Sequence, residues 1–168
     1  LSANYHYPKP KIRNAKLSFA PGGVGPASGI GRIRSRHFPP EAQGRFLSNQ
    51  LAGMRATHWF ELEETGNGYK AKRIKPDLLS SSDPYHRPVA MTFGPDGALY
   101  IADFYSPVIE NTSYPKRHPG RDHIRGRIWR ITAKGRPLLK QPQIEGRPVV
   151  ELLELLKEHE PLARHFAR

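Results

Sequence analysis

The residues that decide the fold are 93–105, with the sequence FGPDGALYIADFY. An apolar run ends at Phe93 and is followed by GPDG at residues 94–97. Proline fixes φ at the first corner of a turn, aspartate accepts a hydrogen bond from its own backbone, and glycine tolerates the positive φ that closes the turn. A second apolar run, residues 98–102, ends at Asp103. This pattern predicts one hairpin of an all-β structure, in which Asp103 stands where the second strand ends.

The composition favours short strands and many turns over long helices. Of the 168 residues, 37% are hydrophobic, and 15 glycines and 17 prolines interrupt the chain. The net charge of +12 predicts attraction to polyanions. Because the basic residues are spread along the sequence and form no block, the pattern favours a basic solvated surface over nucleic-acid binding.

Cysteine is absent, so these residues carry no disulfide, no thiolate nucleophile and no attachment site for c-type haem. The sequence also lacks an apolar run of about 18 residues and therefore predicts no transmembrane segment.

Upstream of the hairpin, the sequence predicts four strands in meander order, at residues 29–35, 45–49, 54–63 and 69–74. In the third strand, Met54, His58 and Phe60 alternate with residues of the other face. The turn GNG at residues 66–68 predicts a hairpin between the third and fourth strands. Four strands over roughly 45 residues match the size of one propeller blade.

Opposite charges face each other across this hairpin. Lys70 and Lys72 of the fourth strand are expected near Glu61 and Glu63 of the third, since opposite charges suit cross-strand positions.

The chain divides into four parts. Residues 1–26 are rich in proline and glycine and predict an extended loop or linker. Residues 27–136 are expected to form about two propeller blades, and residues 137–148 a second linker. Residues 149–168 predict the start of a helical-repeat domain, because Val149, Leu153 and Leu156 follow helical spacing and Pro161 suits the first turn of a second helix.

Four segments in this order resemble a known family. They are SSDPYHRPV at residues 81–89, the hairpin at 94–105, RDHIRGRIWRIT at 121–132 and KGRPLLK at 134–140. They are similar to the large secreted "membrane-bound dehydrogenase" proteins of planctomycetes, verrucomicrobia and relatives. Those proteins join a propeller like that of the quinoprotein glucose and sorbosone dehydrogenases to HEAT-like helices and a c-type cytochrome domain.

The resemblance implies the last two blades of a six-bladed propeller, followed by the first HEAT-like helices. It also implies a periplasmic or otherwise extracytoplasmic setting and, in the intact protein, a quinone cofactor such as pyrroloquinoline quinone (PQQ) together with haem c. The partners would be the remaining blades and domains, or other chains of an assembly, and a sugar substrate. We expect these 168 residues alone to be inactive, because the other walls of a cofactor pocket lie outside them.

Ligands of propellers bind at the mouth of the central channel, where strands end. Asp103 occupies such a place and is a candidate base, while Phe104 and Tyr105 are candidates to line a sugar-sized pocket. The alternative is that Asp103 caps a turn and that the aromatic residues pack between blades.

The densest group of chemically active residues is 121–125. Asp122 beside His123 could orient the imidazole as a general base, and Arg121 and Arg125 could bind a carboxylate or phosphate. The alternative is a network of arginine–aspartate ion pairs that fixes the loop to the next strand.

Other candidates carry simpler interpretations. Arg87, extended by the proline after it, either projects into the channel or pairs with a neighbouring blade. His118 lacks further ligands at a recognisable spacing, so we predict no metal site. His58 is expected to be a hydrogen-bonded core histidine, and Trp59 and Trp129 to pack between blades.

Three functions remain open at this point. The first is a sugar or alcohol dehydrogenase whose propeller passes electrons to a haem domain outside this chain. The second is a non-catalytic propeller that binds glycans or proteins. The third is a basic polyanion-binding protein, whose affinity would fall steeply with salt.

Overall fold

A computed structural model describes residues 27–51, 55–66, 68–107 and 118–168. These residues form two antiparallel sheets and two short helices, so the prediction of a mainly β structure is confirmed. The loop predicted at residues 1–26, the start of the third predicted strand at Met54 and part of the long loop before residue 118 lie outside the described residues.

The first sheet contains four strands in sequential order, with a fifth short strand beside the third. They are β1 (Ala27–Arg32), β2 (Phe46–Gln50), β3 (Ala56–Thr65), β4 (Gly68–Arg73) and β5 (Leu79–Ser80). The predicted meander is therefore confirmed.

The hairpin of β3 and β4 has the predicted register, with Glu61 opposite Lys72 and Glu63 opposite Lys70. His58 is buried in β3, and its Nδ1 donates a hydrogen bond to Asp77 Oδ1 at 3.0 Å. The prediction of a hydrogen-bonded core histidine is confirmed.

The second sheet comprises β6 (Pro88–Phe93), β7 (Leu99–Asp103) and β8 (Arg127–Ile131), again in sequential order. The turn between β6 and β7 has the predicted chemistry. Gly97 adopts φ of 80°, and Asp96 Oδ1 accepts a hydrogen bond from the Ala98 amide at 3.1 Å. The hairpin that the sequence places at residues 93–105 is confirmed.

The two sheets meet at their first strands. Ser28 Oγ in β1 donates to the Pro88 carbonyl of β6 at 3.0 Å. A Cβ atom added at Gly29 would lie 2.7 Å from the Val89 carbonyl, so only glycine permits this close approach. Next to this contact, an apolar core joins the sheets; its buried members are Ile33, Phe38, Ala42, Leu47, Leu99 and Ile101.

Ser28 lies against Pro88 and Gly31 against Met91, so β1 and β6 run in the same direction. Corresponding strand ends of both sheets therefore lie at the same edge. We call this the loop edge; it is marked by Gln50, Ala56, Pro88, Asp103 and Arg127, which are paired strand ends. The opposite edge carries the turn at residues 94–97 and the segment that follows β8.

Two helices follow the sheets, as the sequence predicts: α1 (Val149–Leu155) and α2 (Pro161–Phe166). Pro161 begins α2, and Glu160 accepts a hydrogen bond from the Arg36 amide at 2.8 Å, which fixes this helix to the opposite edge. Among the described residues, neither helix has the length and apolar character needed to cross a membrane. That these helices begin a helical-repeat domain stays a prediction.

Candidate functional site

The loop edge is organised around the carboxylate of Asp103, which is 3% exposed at the end of β7. Its Oδ1 accepts hydrogen bonds from two backbone amides, Arg87 at 2.8 Å and Tyr105 at 2.9 Å. These two bonds fix the residue that enters β6 and the first residues of the loop that leaves β7.

The second oxygen of Asp103 accepts three hydrogen bonds from side chains. His86 Nδ1 donates at 2.8 Å, Trp129 Nε1 at 2.9 Å and Arg127 Nε at 3.0 Å. The carboxylate thus joins β6, β7 and β8 through five donors.

Ionisation of Asp103 is strongly favoured in this setting. Burial alone would raise the pKa of the carboxyl, but the bonds from Trp129, the Arg87 amide, His86 and the Tyr105 amide lower the pKa to about 2. A carboxylate held in this way is a weak base and has no solvent-exposed atom. The geometry corresponds to the turn-capping alternative, while a catalytic role of Asp103 stays a prediction.

Aromatic rings and a second carboxylate surround Arg127. Its guanidinium lies 4.4 Å from the centre of the Tyr105 ring and pairs with Asp83 at 2.5 Å. The Tyr85 and Tyr105 rings are 5.0 Å apart. Tyr105, predicted to line a pocket, is therefore partly occupied in packing, whereas Phe104 is 52% exposed beside it.

The structure does not join Asp122 to His123. Asp122 Oδ1 accepts hydrogen bonds from the amides of Ile124 at 3.0 Å and Arg125 at 2.9 Å, and Oδ2 pairs with the Arg125 guanidinium. His123 is exposed, and its Nε2 lies 3.2 Å from the His118 carbonyl. The local arginine–aspartate alternative fits this geometry, and the proposed base pair stays a prediction.

Two further hydrogen bonds within this loop involve its backbone. The Arg121 amide donates to the His118 carbonyl at 3.0 Å, and His118 Nδ1 accepts from the Gly120 amide at 3.0 Å. Within the described ranges, no group of three or more histidine, aspartate or glutamate side chains is arranged to hold a metal ion.

Arg87, a predicted binding residue, has a buried guanidinium group. It is 8% exposed; Nη1 donates to the His86 carbonyl at 2.8 Å and Nη2 to the Pro107 carbonyl at 3.2 Å. Its Nε is buried without a hydrogen-bond partner among the described residues. Burial, and then the like charge of Arg55, lower the pKa of Arg87.

Sequence reasoning missed His86 and Arg55. His86 is fully buried against Asp103, although it directly precedes the predicted Arg87. Arg55 stands just before β3 with φ of 46°, a conformation that L-residues other than asparagine and aspartate rarely adopt. The only signal for either was its position next to a predicted strand start.

Two clefts of the described surface lie away from the loop edge. A cleft of about 540 Å³ is lined by Arg32, Arg45, Phe46 and Glu61 at the opposite edge. An apolar cleft of about 360 Å³ lies between Met91 and α2. Neither contains a sequence-predicted site residue, so the loop edge is favoured as the site on its chemistry and not on an enclosed volume.

Comparison with known proteins identifies a family. The family model described as "Domain of unknown function (DUF7133)" matches residues 3–135, which include all eight strands and the loop edge but neither helix. No curated protein and no solved structure matches the chain significantly. The chain therefore belongs to the DUF7133 family.

Proposed function

We propose that the chain forms the last two blades of a six-bladed β-propeller in an extracytoplasmic sugar or alcohol dehydrogenase. Two observations support this architecture: each sheet is a sequential meander, and β1 and β6 lie side by side in the same direction. First strands of neighbouring blades have this relation around a propeller channel.

The observation that carries the functional proposal is the chemistry of the loop edge. Both sheets end there, and the edge brings together the exposed ring of Phe104, the tyrosine pair and the arginines Arg55 and Arg87. Aromatic faces and hydrogen-bond donors are the side chains that bind sugars in clefts. Asp103 acts in this scheme by holding the loop, while substrate contacts fall to its neighbours.

The redox chemistry belongs to groups held outside this chain. A quinone such as PQQ would accept the electrons of the substrate, and haem c would be attached elsewhere because these residues contain no cysteine. Within the described ranges the loop edge offers donors for an acidic group, and the clefts of about 540 and 360 Å³ lie elsewhere, so the other blades would supply the walls that enclose a quinone.

The test is dye-linked oxidation of sugars and alcohols by the protein that carries this chain. Phe104→Ala should lower kcat/KM by about tenfold or more, because it removes an exposed ring at the substrate wall. Tyr69→Ala is the matched control, since Tyr69 is 71% exposed on β4, in the other part of the first sheet. Equal activity of the two variants, or oxidation of no sugar or alcohol, would refute the proposal.

A second function, a non-catalytic glycan- or protein-binding propeller, is favoured by a specific observation. The candidate bases are engaged elsewhere: Asp103 is saturated with donors, and Asp122 binds backbone amides away from His123. Binding on a glycan array by the intact protein, without dye reduction, would select this function.

A further inference from the structure

Buried hydrogen-bond donors without a partner lie at the loop edge, where the Gln50 Oε1 acceptor also has none among the described residues. Arg87 Nε and Asn49 Nδ2 are buried and have no partner among the described residues. Arg55 is half-buried and forms no hydrogen bond or ion pair with the described part of the chain. Buried donors without acceptors are costly, so a group that supplies acceptor oxygens would be bound favourably there.

These donors converge at the junction of the two sheets. Asn49 Nδ2 would lie 3.1 Å from a Cβ atom at Gly29, which would also lie 2.7 Å from the Val89 carbonyl, two residues beyond Arg87. Thr57 Oγ1 donates to Asn49 Oδ1 at 2.8 Å and so directs the amide group of Asn49. Asn49 is thereby held with its NH2 toward the start of β6.

Asp103 and Asp83 oppose the charge of Arg87, but neither carboxylate is hydrogen-bonded to the guanidinium of Arg55 or Arg87 in the described part of the chain. Their side-chain donors are His86, Trp129 and Arg127 for Asp103, and Arg127 for Asp83. Arg55 and Arg87 also repel each other, and burial makes this repulsion stronger. Two like charges near one another, with no carboxylate bound directly to either guanidinium among the described residues, are typical of a site that binds an anion.

We propose that this junction binds the carboxylate of an acidic sugar, with Arg55 and Arg87 on the carboxylate and Asn49 on a neighbouring oxygen. The inference rests on the proposed function, because it names the substrate class of the same edge. The exposed Phe104 and the Tyr85–Tyr105 pair supply the apolar surface against which a sugar ring packs. A net charge of +12 attracts such anionic ligands over longer distances.

The test uses calorimetric titration of the protein that carries this chain. The probes are D-glucuronate and D-galacturonate, with D-glucose and D-galactose as neutral controls of the same ring geometry. We expect the uronates to bind about tenfold or more tightly than the neutral sugars, since bonds to an ionised group are the stronger ones. Equal affinities for the acidic and neutral sugars would overturn the proposal.

Variants locate the site. Arg55→Gln and Arg87→Gln should each weaken uronate binding by about tenfold or more. Arg34→Gln, at an exposed arginine of the opposite edge, should leave it unchanged. Arg55 has no described partner, so its variant should fold even if the Arg87 variant does not. Unchanged uronate binding by Arg55→Gln would overturn the proposal.

Two further arms exclude other sources of the carboxylate. Glu110 is the one acidic residue in the segments outside the described ranges. If the wild type fails to bind uronates and Glu110→Gln binds them, the chain supplies its own anion and the proposal is wrong. The proposal is also wrong if Arg55→Gln weakens the binding of PQQ and leaves the binding of uronates unchanged.

The outcomes for this inference and for the dehydrogenase are separable. Uronate binding without dye reduction supports the acidic-sugar site and counts against the dehydrogenase. Oxidation of neutral sugars without uronate binding supports the dehydrogenase and counts against the acidic-sugar site.

Discussion

The two edges of the sheets are built from the same residue types and differ in how their polar atoms are satisfied. At the opposite edge, His37 uses both ring nitrogens: Nε2 accepts from the Ala133 amide at 2.9 Å, so Nδ1 donates to the Pro137 carbonyl at 2.9 Å. At the loop edge, Asp103 is equally well bound, but Arg55, Arg87 and Asn49 retain free donors among the described residues.

This difference follows from what covers each edge. The segment after β8 folds back over the opposite edge, where the Leu139 amide donates to the Asp96 carbonyl at 2.9 Å. Gln43 Nε2 likewise donates to the carbonyls of Ser35 and Phe38. The exception there is Arg45 Nε, although the guanidinium of Arg45 pairs with Glu61. One edge is therefore closed by the chain itself, and the other leaves buried donors without a partner among the described residues.

The largest effect should come from Asp103→Asn. The substitution leaves the positive charge of Arg127 without one of its carboxylates and weakens the bonds from His86 and Trp129. Breaking a buried ionic network costs about 3 kcal/mol or more. Denaturant unfolding should report a loss of this size.

Asp96→Asn is the control at the opposite edge. Asp96 accepts from Tyr100 and Arg130, but Arg130 is largely exposed, so we expect a loss of about 1 kcal/mol. Losses of equal size in the two variants would contradict the central role of Asp103.

The second effect tests the closed edge. His37→Ala should cost about 2–3 kcal/mol, because the Ala133 amide and the Pro137 carbonyl lose their shared partner. Hydrogen exchange of the Ala133 amide should accelerate with no change at the Tyr105 amide of the loop edge. Acceleration at both amides would show that the edges are not independent.

Much of the fold follows from local sequence signals. The GPDG turn and the GNG hairpin each rest on interactions between residues close in sequence, and both are confirmed. The alternation predicted for β3 is not seen at its start, where Ala56, Thr57 and His58 are all buried. The position of Asp103 at the end of β7 was also predicted from a local signal, because a polar residue follows the apolar run 98–102.

The hydrogen-bond partners of Asp103 could not be predicted from the sequence. Its partners His86, Arg127 and Trp129 are 17, 24 and 26 residues distant, and only the pairing of three strands brings them together. Adjacent Asp122 and His123 gave the opposite result: proximity in sequence suggested a pair, yet the carboxylate turned to backbone amides. Arg55 carried no signal beyond its place beside a predicted strand start, because its closeness to Arg87 arises only where the two sheets meet.

The third prediction concerns acid. The pKa of Asp103 is about 2 in the folded protein against an ordinary value of 3.8, so the unfolded chain takes up the proton first as pH falls. Its contribution, about 2 kcal/mol, is full above roughly pH 5 and is lost as pH falls toward 2. An NMR titration of the Asp103 carboxyl carbon should give a midpoint well below that of a free aspartate. A midpoint near 3.8 would contradict the hydrogen-bond network.

The smallest effect compares one residue type at the two edges. Arg45 pairs with Glu61 at 2.9 Å and lies 4.7 Å from the centre of the Trp59 ring, so Arg45→Gln should cost about 1 kcal/mol. Arg55→Gln should cost nothing or stabilise the fold slightly, because it relieves repulsion with Arg87. The measurement is the denaturant midpoint of each variant without ligand. If Arg55 lowers the stability of the fold and yet improves uronate binding, the residue is maintained for binding. A loss of stability in Arg55→Gln as large as that in Arg45→Gln would mean instead that Arg55 has a structural partner and that the two edges are alike.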